Sequence, residues 1–209
     1  MRIESVNVGL PRSVEWGGRT ITTGIFKEPV TGPVSLDIVN LTGDRQADLT
    51  VHGGPDKAVY AYDLAHYEVW KQELSRTDWT PGLFGENLTT DGLLDAQVRI
   101  GDLFRVGTAQ LRAVQPRFPC YKVNVWFNDA GMVRHFARVG RPGIYFRVVE
   151  PGIVQAGDTI ELLEAADTDI TIEAVAQLVM SRQPDRHLLD RVLALPHLAA
   201  KLRQQLGGS

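Results

Sequence analysis

The chain has one cysteine, Cys120, set in Gln115-Pro116-Arg117-Phe118-Pro119-Cys120-Tyr121-Lys122. The run ends an apolar β segment and precedes a short helix expected from about Tyr121. Arg117 and Lys122 flank the thiol, and a helix N-terminus adds partial positive charge, so the thiolate is favoured over the thiol. A thiolate is a nucleophile or a soft-metal ligand. Without such neighbours a lone cysteine is most often a small buried hydrophobe. A structural zinc site is disfavoured, because there is no second cysteine and the five histidines are scattered without ligand spacing. The spacing leaves His52 open as the partner of a Cys-His nucleophile, though nothing else signals peptide cleavage.

A second constellation runs from Gly43 to Tyr62. It gathers Asp44, Arg45, Gln46, Asp48, His52, Asp56 and Lys57 around Gly53 and Gly54, more polar functionality than a connecting loop needs. His-Gly-Gly can bring backbone N–H groups close to an anion, with His52 or Lys57 supplying charge. Neither glycine-rich nucleotide fingerprint is present. The plainer reading is an ordered turn with a surface ion pair. A third run, Phe84 to Gly92, sets Glu86 and Asn87 between glycine turns, where they can serve a ligand or staple the loop. Asp44, Asp48 and Glu86 could pair as acid and base, but sequence does not fix their separation. Arg138, Arg141 and Arg147 extend the supply of cations, with Arg141 placed before Pro142-Gly143 to face an anion.

These residues need a frame. The chain has 209 residues, 44% hydrophobic and 22% charged, with 20 Gly and 11 Pro. That is a globular composition, long enough to bury roughly 70% of its unfolded surface without staples. The formal charge of −3, with no dense basic block, disfavours general nucleic-acid binding but leaves room for a local basic pocket. No apolar run is long enough to span a membrane, and the start has no secretory pattern, so a cytoplasmic protein is expected. Short β-rich stretches at Ile3 to Val8, Thr20 to Phe26, Val34 to Leu41, Ala58 to Tyr62, Asp102 to Val106, Gln110 to Val114, Gly143 to Val149 and Thr159 to Leu163 predict a barrel or closed sheet. Helices are expected over Asp63 to Leu74, capped by Asp63, from about Tyr121, and over Asp129 to Val139. The fold class is mainly β with inserted helices over residues 1–164.

Residues 165–209 form a separate module. Three short helices are expected there, capped by Thr171 and Asp185, with Pro196 in the first turn of the third. About 40 residues is marginal for an independent core, so the module should pack on the barrel or on a second subunit. Its cations Arg182, Arg186, Arg191, Lys201 and Arg203 alternate with Asp185 and Asp190, as on solvated amphipathic helices rather than nucleic-acid readers.

Together the motifs resemble one family. The order Lys27-Glu28-Pro29-Val30, Gly43-Asp44 through His52-Gly53-Gly54-Pro55-Asp56-Lys57-Ala58-Val59-Tyr60, Phe84-Gly85-Glu86-Asn87-Leu88, Gly101-Asp102, Pro116-Arg117-x-Pro-Cys120-x-Lys122 and Gly157-Asp158 looks like the MOSC domain, the molybdenum cofactor sulfurase C-terminal domain. Within it the stand-alone YiiM-like branch, closed by a three-helix module, is the nearer match. The resemblance implies a pyruvate-kinase-barrel-like β-barrel that binds the molybdenum cofactor, with Cys120 as the metal ligand. It makes Lys27, Arg45, His52, Gly53, Gly54, Lys57, Arg117, Lys122 and Arg141 candidates for the cofactor's phosphate and pterin edge, with Glu86, Asn87 and Asp56 as hydrogen-bonding support.

The implied chemistry is two-electron reduction of N-hydroxylated compounds such as hydroxylaminopurines, amidoximes and hydroxylamines, with His52 or Asp56 supplying a proton. The chain shows no flavin, haem or iron-sulfur signature, so a separate electron-donor reductase, a flavin or iron-sulfur protein, is the expected partner. Two other classes stay open. One is a sulfur carrier holding a persulfide on Cys120. The other is a non-catalytic cofactor-binding protein whose helical tail contacts a partner or a second copy. Pyridoxal phosphate is not expected, because the desulfurase-like domain of the larger sulfurases is missing from this chain.

Overall fold

A computed structural model describes residues 1–47 and 53–208. Its strands are β1 (Arg2–Val8), β2 (Arg12–Trp16), β3 (Arg19–Thr23), β4 (Glu28–Val30), β5 (Val34–Leu36), β6 (Val59–Asp63), β7 (Leu88–Asp91), β8 (Leu103–Val106), β9 (Ala109–Pro116), β10 (Ile144–Glu150), β11 (Gly152–Val154) and β12 (Ile160–Glu164). Eight form one sheet in the order β12-β8-β9-β10-β6-β7-β1-β4, antiparallel except where β6 meets β7. Side ribbons β2-β3 and β5-β11 complete the β structure.

The expected closed barrel is not what forms: the ladder ends at β12 and β4. The reason lies in the free edge of β1. Its Val6–Val8 stretch is taken by β4, leaving only the first residues for the far end of the sheet. There Arg2 bridges Thr159, Ile3 N–H donates to Asp158 O at 2.9 Å, and Ile160 N–H donates to Met1 O at 2.8 Å. The sheet curls until the start of β1 touches the segment leading into β12, without a continuous seam.

Two expected strands are shorter than their β-rich stretches. Val34 to Leu41 yields only β5, because Asp37 N–H donates to Asn40 O and the chain doubles back, leaving Ile38 and Val39 exposed. Thr20 to Phe26 ends at Thr23, where Gly24 passes so close to the Arg45 carbonyl that a Cβ would sit 2.4 Å from its oxygen. No side chain fits that approach.

The helices are α1 (Leu64–Glu73), α2 (Lys122–Phe127), α3 (Met132–Val139), α4 (Ile172–Met180), α5 (Arg186–Ala194) and α6 (Ala200–Gly207). Three carry the expected caps: Asp63 accepts from Ala65 N–H, Thr171 from Ala174 N–H, and Asp185 from His187 and Leu188 N–H. The third tail helix starts later than expected. Pro196 and His197 lie in a turn, and α6 begins at Ala200, whose N–H donates 2.9 Å to the Asp56 carboxylate.

Val175 and Leu178 of α4, Val192 of α5 and Leu202 of α6 join Leu111, Ala113 and Val114 of β9 in one continuous apolar core. Backbone bonds reinforce this docking, with Ile172 N–H donating to Val98 O and Ala199 N–H to Val114 O. A second, aromatic core packs Tyr62, Tyr67, Trp70, Phe84 and Phe136 beneath α1 and α3. Trp70 Nε1 donates 2.7 Å to the Tyr62 hydroxyl, which donates 3.1 Å to Arg141 O, so its buried polar groups are satisfied. Among the described residues no helix is long and apolar enough to cross a membrane.

Candidate functional site

Strand β9 ends at Pro116, and the next four residues turn across the sheet before α2. Arg117 and Cys120 thereby enter the wall of a cleft, with Cys120 half-buried. Lys57 reaches the same cleft from the 3₁₀ turn Pro55–Lys57, and Lys122 from the first turn of α2. Lys27 and Arg45 line the opposite side, beside the Thr23-Gly24-Ile25 strip that the Gly24 approach holds against Arg45. The lining thus holds five Lys and Arg, one thiol, and no Asp or Glu among the described residues. Such a surface is built for an anion.

The cations differ in how they are held. Lys27 forms a buried ion pair with Asp44. Burial lowers the Lys27 pKa, against the pull of that carboxylate. Asp44 also accepts 3.0 Å from Gly9 N–H and 2.9 Å from Asn87 Nδ2, so Lys27, Asp44 and Asn87 form a rigid flank. Arg117 is only 6% exposed. Its guanidinium lies over the Tyr60 and Phe136 rings, and Nη1 has no hydrogen-bond partner among the described residues. A buried donor without an acceptor costs about 1–3 kcal/mol, which a ligand oxygen would recover. Lys57 has its pKa lowered first by burial and then by the neighbouring ammonium of Lys201, while Cys120 and Asp56 oppose the shift.

Tyr60 and Tyr145 complete the wall with rings 5.2 Å apart. Burial raises both hydroxyl pKa values, with Arg117 the leading opposing influence, so both stay protonated well into the alkaline range. The Tyr60 hydroxyl is committed to Pro142 O at 3.0 Å. Neither residue stands out in the sequence as functional. The usable signal is alternation along β10, which turns Tyr145 and Arg147 to the same face.

Several sequence-predicted residues stand elsewhere. Glu86 is fully buried and does not line the cleft: it accepts from Tyr67 Oη, from Thr89 Oγ1 and Gly82 N–H at 2.8 Å, and from Phe84 N–H at 3.0 Å. It staples its loop. Arg141 pairs with Glu173 at 3.2 Å, and its carbonyl serves Tyr62, on the far side of Arg117. Asp56 is drawn out of the cleft lining by Arg147, whose Nε donates 2.8 Å to Oδ1, and by the α6 N-terminus. Gly53 and Gly54 lead into the 3₁₀ turn without lining the cleft, and Gly54 adopts φ of 95°. His52 and Asp48 lie outside the described residues. Among those described, no three His, Cys, Asp or Glu side chains gather as a metal site.

The MOSC domain model matches residues 48–161, more than half the chain. The chain belongs to the MOSC domain family. The uncharacterized protein YflK of Bacillus subtilis (strain 168) is 39% identical over 199 residues, covering 95% of this chain and 90% of that protein. YiiM of Escherichia coli (strain K12) is 35% identical over 179 residues, 85% of this chain and 80% of that one. A Gibberella moniliformis protein named as a reductase is 34% identical over 182 residues, which are 86% of this chain but only 32% of the fungal one. The crystal structure of YiiM from Geobacillus stearothermophilus superposes with a TM-score of 0.83 at 28% identity, covering 99% of this chain and 97% of that one. This is therefore a YiiM-like MOSC chain, and the match includes the helical tail that the family model leaves out.

Proposed function

We propose that the cationic cleft binds the molybdenum cofactor, with Cys120 as its thiolate ligand, and that the loaded protein reduces N-hydroxylated compounds to amines or amidines. The observation that carries this reading is the convergence of five cations and one thiol on a cleft without a carboxylate among its described lining residues. The residues fit the group: a pterin phosphate suits the orphaned Nη1 of Arg117, and a thiolate suits a soft metal. When bound, the group supplies the two-electron change that turns R–NHOH, two protons and two electrons into R–NH₂ and water.

The chain's own part is to bind, orient and protonate. Arg117 and Lys122, both nearly buried, fix the anionic end, while the Lys27–Asp44–Asn87 flank fixes the opposite edge. Lys57 stands beside Cys120 with a lowered pKa and is the best-placed proton carrier. Asp56, bound to Arg147 and α6, is not given that role. A separate flavin or iron-sulfur reductase is the proposed electron donor, because the sequence shows no flavin, haem or iron-sulfur signature and no three His, Cys, Asp or Glu side chains gather among the described residues. We place the protein in the cytoplasm, with the free Cys120 in keeping with a reducing compartment.

The test is to express wild type and Cys120→Ala in a cofactor-competent host, measure molybdenum and pterin, and follow hydroxylamine reduction with an artificial electron donor. Stoichiometric molybdenum with activity lost in the variant supports the reading. A folded wild type with neither metal nor pterin, and labile sulfur on Cys120, replaces it with a sulfur carrier.

A further inference from the structure

Cys120 sits where two clefts meet. Cys120, Lys57, Phe118 and Tyr145 line the cationic cleft and also a second cleft, which α6 lines with Lys201, Leu202, Gln204 and Gln205. The two differ in chemistry. The second carries two cations, Lys57 and Lys201, where the first carries five, and adds the amides of Gln115, Gln204 and Gln205 with Pro116, Pro119, Phe118 and Leu202, as suits a flat molecule held by hydrogen bonds and apolar contact.

The α6 wall is tied to the motif that carries Lys57. Asp56 Oδ2 accepts from Ala200 N–H at 2.9 Å, its Oδ1 accepts from Arg147, and its backbone carbonyl accepts 3.0 Å from Gln115 Nε2. Arg203 clamps the other side of α6 by donating to the Leu193 and Leu195 carbonyls. One side chain thus joins the 3₁₀ turn beside Cys120, strand β10 and the tail.

We infer that the α6 side of Cys120 is the substrate arm, that Gln204 limits the size of what enters, and that Asp56 is the positioning residue that sets the α6 wall. This rests on the reductase reading above. It gives the tail helices a part in selectivity rather than in cofactor retention.

The experiment compares hydroxylamine with an N-hydroxylated purine as small and large substrates, alongside molybdenum content. Gln204→Trp is expected to raise KM for the purine about tenfold or more, the scale of a pocket contact, with molybdenum and hydroxylamine turnover unchanged. Asp56→Ala should raise the same KM and speed amide exchange in α6, and Asp56→Asn, which keeps a cap acceptor, should restore part of both. Equal losses on both substrates, or an unchanged KM ratio in a molybdenum-loaded Gln204→Trp, overturn the inference. If the wild type carries no molybdenum, the reductase reading has failed instead. Adenine titrated into the metal-free chain then decides: amide shifts on α6 support the arm, and shifts confined to the Lys27 and Arg45 side overturn it.

Discussion

The guanidinium carbon of Arg117 lies 5.3 Å from the centre of the Tyr60 ring, a cation held against an aromatic face while one of its terminal nitrogens has no acceptor. Stacking offsets part of the burial cost, and the rest is strain a bound anion would relieve. Arg117→Met should therefore leave the melting temperature of the metal-free protein unchanged or raised. It should weaken retention of the cofactor at least tenfold, read as molybdenum per chain after dialysis; full retention would show that Arg117 is structural only.

Cys120 is half-buried and makes no disulfide. Cys120→Ser should change stability by no more than about 1 kcal/mol in urea unfolding, because little packing is lost. The same variant should abolish reductase activity, since a hydroxyl is a poor substitute for a soft thiolate ligand.

Lys27 and Asp44 pair with almost no solvent around them. Lys27→Met strands a buried carboxylate and should destabilise the fold by about 3 kcal/mol. Lys27→Met with Asp44→Asn should recover at least half of that in the same chemical denaturation, because the coupling belongs to the pair.

Lys57 has a pKa below the ordinary 10.5, through burial first and Lys201 second. A lowered pKa means the positive charge is present below that midpoint and lost as pH rises through it, sooner than on a free lysine. Inorganic phosphate affinity, followed by calorimetry from neutral pH to 10.5, should fall before the ordinary lysine range, and Lys57→Met should diminish that limb, the remainder belonging to Lys27, whose pKa burial also lowers.

Glu86 accepts from four donors, Gly82 and Phe84 N–H in its own loop, Tyr67 on α1 and Thr89 on β7. Glu86→Ala should cost about 3 kcal/mol in thermal or urea unfolding and reduce ligand binding only through the unfolded fraction, since the buried donors lose their acceptor.

What could be read from the sequence was local. Asp63, Thr171 and Asp185 cap helices through bonds spanning two or three residues, and such bonds need no knowledge of the fold. Arg117, Cys120 and Lys122 stand close in the chain and stay together in the cleft. The rest depended on register. Tyr60 and Tyr145 face each other only because β6 pairs with β10, and Asp56 finds its partners at Arg147 and Ala200. The motif around Asp56 drew attention to a carboxylate, but only the docked tail shows that it holds a helix. The barrel likewise failed on a detail no propensity carries, the division of one strand edge between two partners.

That divided edge also sets an order in time. β1 is made first, yet it needs residues 28–30, 88–91 and 157–160 before its neighbours are complete. Closing such distant loops is slow, so its free amides wait longest for partners. Until Thr159 arrives, the nascent chain carries an open sheet edge, the kind of surface that invites pairing with another chain and the attention of chaperones.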